Sequence, residues 1–206
     1  MSKTLSCIIS TAVAAAGLAC APSAHAERFF TATLTGAQEV PIPGSPTASG
    51  FASFVLNDAQ TALRFNATVF NIDFTGLQTA DTGDNLLNAH IHAPGPPGVA
   101  APVVWGFIGT PFNDNNPNDV VVTPFPTGVG GTVSGKWDTP EGNNTTLTAQ
   151  LPNILAGNAY INFHTVQFPG GALRGQILPA VPEPGTLALL AAGLVAGGGV
   201  WRKRAQ

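Results

Sequence analysis

Along the central part of the chain the apolar residues recur at every second position, the period of a strand with one buried face. RFFTATLTG (28–36) puts Phe30, Ala32 and Leu34 on one side and threonines on the other. TALRFNATVF (61–70) turns Leu63, Phe65, Ala67 and Val69 inward and Arg64, Asn66 and Thr68 outward. GTVSGKW (131–137) does the same with Val133, Gly135 and Trp137. FASFVL, VVWGFI, TLTAQL, YINFHT and ALRGQIL are further strand candidates. They are separated by PIPGSPTASG, NDAQ, NDNNPND, TPEGNN and FPGG, clusters of the residues that make turns. The one helical candidate is a single turn at PNILAG (152–157). Many short strands without alternating helices predict an all-β sandwich or barrel over residues 27–180. That is one domain, long enough for a real core.

Both ends break the pattern. Residues 1–26 read as a secretory signal peptide: Lys3, an apolar run over 5–19, and the small-x-small site Ala24-His25-Ala26, with cleavage before Glu27. The run is too short for the ~20 apolar residues of a membrane span. Residues 181–206 have three parts. Pro182-Glu183-Pro184 stops any strand, 185–201 is an uncharged apolar run fit for a transmembrane helix, and Arg202-Lys203-Arg204 is a basic stop on the inner side. Cys7 and Cys20 both lie in the leader, so the exported domain has no disulfide and no thiolate ligand. Within 27–180, four cationic side chains (Arg28, Arg64, Lys136, Arg174) face ten acidic ones, a net of −6 without a basic patch. Nucleic acid is not an expected partner.

The candidate chemistry lies in NAHIHAPGPPG (88–98) and YINFHT (160–165). On strands His90 and His92 share a face, as do Tyr160, Asn162 and His164. If the two strands are neighbours, three imidazoles and an amide converge, a three-nitrogen site for copper or zinc. The turns after His92 and Thr165 put the cluster near one end of the β-structure, where loops admit a ligand. The plainer reading is a polar ladder that hydrogen-bonds to neighbouring carbonyls. Both readings stay open. Arg174 reads as a strand-surface hydrogen bonder, a partner of Glu39, or a guide for an anion. Ser53 and Ser134 sit in strand patterns without a nucleophile elbow. No glycine-rich phosphate loop is present, and NDNNPND (113–119) lacks EF-hand spacing and reads as a solvated turn. No catalytic residue and no enzymatic activity are expected.

ATLTGAQEVPIP, TASGFASFVLN, NAHIHAPGPPG and AYINFHTVQFPGGALRGQI, in this order, resemble the CHRD domain. That domain is named from chordin, an animal extracellular protein that binds growth factors, and also occurs in bacterial secreted proteins. The resemblance spans about residues 28–178 and implies an Ig-like antiparallel β-sandwich. The tail resembles the PEP-CTERM signal of Gram-negative bacteria through Pro182, Glu183, Pro184, one helix and an arginine cluster with Arg202 and Arg204. It implies export, transient anchoring through 185–201, cleavage by an exosortase, and a final place at the cell surface or outside the cell. Hosts with such signals usually make extracellular polysaccharide. The expected function is therefore a non-enzymatic surface or extracellular-matrix component whose binding face meets polysaccharide or surface proteins. The alternative is a secreted copper- or zinc-binding protein, for storage or redox chemistry, using His90, His92 and His164. HIH and Arg174 are also similar to parts of copper–zinc superoxide dismutase, but three histidines and no cysteine exclude its two-metal, disulfide-bonded site.

Overall fold

The computed structural model describes residues 26–180. Ala26 is exposed at its start. The remainder of the signal peptide with Ala24, and the tail with Pro182, Glu183, Pro184, the 185–201 helix, Arg202 and Arg204, lie outside the described residues. The strands are β1 (Arg28–Thr35), β2 (Ser49–Leu56), β3 (Ala62–Phe70), β4 (Leu86–His92), β5 (Val103–Ile108), β6 (Val121–Pro124), β7 (Gly130–Asp138), β8 (Ala159–Thr165) and β9 (Leu173–Pro179), with one α-helix among the described residues, α1 (Leu147–Leu155), before β8.

All pairings of these strands are antiparallel, in the order β5-β4-β8-β9-β1-β2-β3-β7-β6. The all-β expectation holds. The hydrogen bonding runs through the nine described strands as one curled sheet. The ladder with the fewest paired residues lies between β1 and β9. It pairs at Phe30↔Pro179, Thr31↔Leu178 and Thr35↔Arg174, and not between them. Gly175 sits in that gap, where an added Cβ would lie 3.0 Å from Leu34 Cγ and 3.0 Å from Thr33 O. A side chain there would push β1 away.

The curl brings β5 over β3 and β7. Trp105 stacks on Trp137 at 5.7 Å and meets Phe65 edge-on at 5.8 Å, and Phe107 lies 4.8 Å from Phe65. The inward sets read from alternation in β1 and β3 are all buried. Both buried indoles end on Glu141: Trp105 Nε1 donates to its Oε2 and Trp137 Nε1 to its backbone oxygen. Glu141 Oε1 also accepts from Asn115 N and Asn116 N, and Oε2 from Asp138 N. The NDNNPND segment is thus not the simple solvated turn its composition suggests. Asp114 is fully buried, and its Oδ2 accepts from Asp119 N and Val120 N. Burial pushes the Asp114 carboxyl above its ordinary range, against the pull of those two N–H donors.

TLTAQL is not a strand. It forms most of α1, capped by Thr146, whose hydroxyl accepts from Ala149 N. Leu147, Leu151 and Ile154 are buried at helical spacing, so the residue four positions on, rather than the residue two positions on, faces the core. β6 was not marked by alternation. Its VVTP is a half-exposed edge strand paired only with β7.

Candidate functional site

β8 is buried along its whole length, on both faces. Ala159, Ile161 and Phe163 belong to the core. Tyr160, Asn162 and His164 point to the opposite, outer face of the sheet, and they too are buried. Register lines them up with the neighbouring strands. One row is His92–Tyr160–Gln176, the next is His90–Asn162–Arg174, and Asn88 pairs with His164. The expected neighbouring of the two histidine strands is therefore present. The cluster occupies a face of the sheet rather than an open end.

Three loops roof this face, following β4, β5 and β8. Glycines allow them to come close. An added Cβ on Gly106 would overlap Pro111 O and lie 3.0 Å from His90 Cδ2. One on Gly95 would lie 2.6 Å from Tyr160 Cε1. Each loop presents one carbonyl to one imidazole. His90 Nε2 lies 3.1 Å from Thr110 O, His92 Nδ1 2.8 Å from Ala101 O, and His164 Nδ1 3.0 Å from Pro169 O. A carbonyl only accepts, so each of these nitrogens carries the ring proton. In neutral imidazoles the remaining nitrogens are bare lone pairs. His90 Nδ1 faces His164 Nε2 at 3.3 Å, and His92 Nε2 is buried with no partner. One ring nitrogen from each of the three histidines falls within 4.8 Å of the other two.

Neutral rings are what this environment favours. Burial pulls His90 down to about 4, helped by the neighbouring His164. It also pulls His92 down to about 4, against the Ala101 carbonyl. His164 is lowered by burial as well, against the Pro169 carbonyl.

Beside the histidines lies a second polar group. Arg174 is not on a strand surface; it is 1% exposed. Its guanidinium stacks 3.6 Å from the Tyr160 ring centroid and donates to Val99 O, Pro96 O and Gln176 Oε1. Gln176 Nε2 in turn reaches Gly95 O, Gly157 O and Ala159 O. Tyr160 Oη accepts from Ala101 N, and its ring stacks on His92 at 4.7 Å. These side chains hold the 93–102 loop down.

Glu39 comes in from the segment after β1. Its Oε2 accepts from Asn162 Nδ2, while Oε1 is buried without a partner. Burial pushes this carboxyl up to about 7, against the Asn162 hydrogen bond and the Arg174 charge. Glu39 and Arg174 thus influence each other by charge, without a direct salt bridge among the described residues. Gln176 and the loop carbonyls were not legible as site groups. The only signal for Gln176 is its place two residues after Arg174 on β9, which fixes a shared face. Asp73 lies elsewhere. It accepts from the backbone of Thr75, Gly76, Gln78 and Thr79 and organises that loop.

A family model described as the CHRD domain matches residues 30–177. A second, described as the PEP-CTERM protein-sorting motif, matches residues 180–204. Comparison with curated proteins and with solved structures found no match.

Proposed function

The chain belongs to the CHRD family, and from that premise we propose that it is a non-enzymatic component of the cell surface or extracellular matrix, freed from its membrane anchor by an exosortase-type protease. The sorting motif marks a protein secreted through that machinery. The observation that carries the reading is where the motif begins. It starts at residue 180, and β9 ends at Pro179. The last backbone hydrogen bond of the domain at this end is Ala180 N to Phe29 O, 2.8 Å. Every core residue lies upstream of the motif. Removal of the tail therefore leaves the domain whole, and it leaves from the same corner as the leader, beside the start of β1.

The face that would bind lies on the other half of the sheet. One row across five strands reads Thr33–Phe51–Thr68–Thr132–Thr123, and the next reads Thr31–Ser53–Asn66–Ser134–Val121. Phe51 is 56% exposed in the middle of these hydroxyls. Neutral hydroxyl and amide groups around an aromatic ring suit a neutral polysaccharide, whose C–H faces pack on the ring while its hydroxyls exchange hydrogen bonds.

The test is to produce the full chain in a host with and without its exosortase. The expected result is a shorter form outside the cell in the first and a full-length membrane form in the second. Full-length protein at the same place in both would overturn the sorting reading. A Phe51→Ala variant, which leaves the core untouched, should be washed from host polysaccharide more readily than the parent. Equal retention would overturn the binding face.

A further inference from the structure

We propose that His90, His92 and His164 form a mononuclear site for a late first-row transition metal, copper or zinc. The argument starts from the three carbonyls. Thr110 O, Ala101 O and Pro169 O each take one imidazole N–H, which leaves His90 Nδ1, His92 Nε2 and His164 Nε2 as acceptors. Two of these acceptors face each other at 3.3 Å, and the third is buried and unpartnered. Facing lone pairs repel, and a buried acceptor without a donor is costly. Among the described residues no donor hydrogen-bonds to them, and the side chains of Asn162 and Arg174 donate to Glu39, Val99, Pro96 and Gln176. A cation relieves all three at once.

The spacing fits. Nitrogens bound at about 2.0–2.1 Å in tetrahedral geometry lie roughly 3.3 Å apart, the distance seen between His90 Nδ1 and His164 Nε2. A carbonyl on the far nitrogen of each ring is the outer-shell arrangement that fixes the tautomer and raises the basicity of a ligating histidine. Two further buried acceptors lie on the same face of the sheet. Asn88 Oδ1 and Asn162 Oδ1 are both buried without partners, on residues that pair with His164 and His90 across the ladder. Imidazole donors select copper or zinc over calcium or magnesium. The three rings are 4%, 8% and 6% exposed, so the ion would be enclosed and slow to exchange. It would also tie together the three loops whose carbonyls orient the rings. The inference is independent of what the other half of the sheet binds.

The experiment uses the full chain, purified in detergent, stripped with chelator, then loaded with Zn(II) or Cu(I) separately and desalted. The expected content is one ion per chain, lost in His90→Ala/His164→Ala. Where that pair fails to fold, His92→Gln serves, with Co(II) loading of the parent read by the visible bands of a tetrahedral nitrogen site. Saturating metal should raise the midpoint of thermal unfolding by roughly 5–10 °C in the parent and by less in His92→Gln. No ion above the stripped blank, or equal ion content in parent and variants, would overturn the proposal. Retention of one metal but not the other identifies the ion.

Discussion

Replacing Arg174 by methionine tests whether the roof of the site is held from below. The guanidinium is almost fully buried and makes two charge-assisted bonds to the carbonyls of Val99 and Pro96, at 2.9 and 3.0 Å. Such bonds contribute about 1.5–3 kcal/mol each. Stacking on Tyr160 adds up to about 2 kcal/mol when desolvated. Some of this returns when the 93–102 loop lifts and its carbonyls meet water. The net loss should be about 3–5 kcal/mol, the range for breaking a buried charge arrangement. A domain of this size has only about 5–15 kcal/mol in total. With a urea slope of about 1–3 kcal/mol/M, the midpoint should fall by at least about 1 M. The assay is urea unfolding followed by tryptophan fluorescence, since Trp105 and Trp137 are stacked in the core. Arg174→Lys should recover less than half of the loss, because an ammonium cannot fork to two carbonyls and lie flat on the ring. The cost should also be larger at pH 8 than at pH 6, because Glu39 then carries a charge that has lost its nearest cation. If Arg174→Met unfolds within about 1 kcal/mol of the parent, this loop is not held by the arginine and the account of the roof is wrong.

Glu39 gives a prediction with a definite sign. Its folded value of about 7 lies above its ordinary 4.5, so the folded state holds the proton longer than the unfolded chain does. Stability from this group is therefore full below about pH 4.5 and falls as pH rises towards 7, by up to about 3 kcal/mol. Glu39→Gln should match the parent near pH 5 and exceed it at pH 8, measured as unfolding free energy against pH. A parallel pair of curves would contradict the burial of a protonated carboxyl. Gly106→Ala should destabilise the domain by about 2 kcal/mol or more, because the added methyl collides with the Pro111 carbonyl. It should also lower metal retention, since Thr110 O is displaced from His90 Nε2. Normal metal content in a folded Gly106→Ala chain would show that this carbonyl does not orient the ring.

The alternation of the chain made the five-stranded half of the sheet readable, because that half has one wet face. Phe30, Ala32, Leu34, Leu63, Phe65, Ala67 and Val69 are buried, and the threonines between them are not. The other half breaks the link between polarity and exposure. In β8 the sequence still alternates, with Tyr160, Asn162 and His164 between Ala159, Ile161 and Phe163, yet all are buried. Alternation told which residues share a face; it was silent on loops covering that face. Those loops are rich in proline and glycine, which have no periodicity to read, and their contribution is backbone oxygen, which every residue type carries. For the same reason the convergence of His90, His92 and His164 was foreseeable from strand geometry, while the tautomers of the rings were not. TLTAQL failed for a different reason. Leu147 and Leu151 are four apart, a spacing that fits either period over so short a window, and only the cap at Thr146 and the continuation to Ile154 separate the two. A polar face that is buried this completely must satisfy its groups internally or bind something that does. Arg174 and Gln176 are satisfied by loop carbonyls, whereas His92 Nε2 has no partner and His90 Nδ1 and His164 Nε2 have only each other. Glu39 Oε1, Asn88 Oδ1 and Asn162 Oδ1 are unpartnered as well, but only the histidines bring three ring nitrogens within 4.8 Å of one another, which makes them the place where a bound ion would complete the structure.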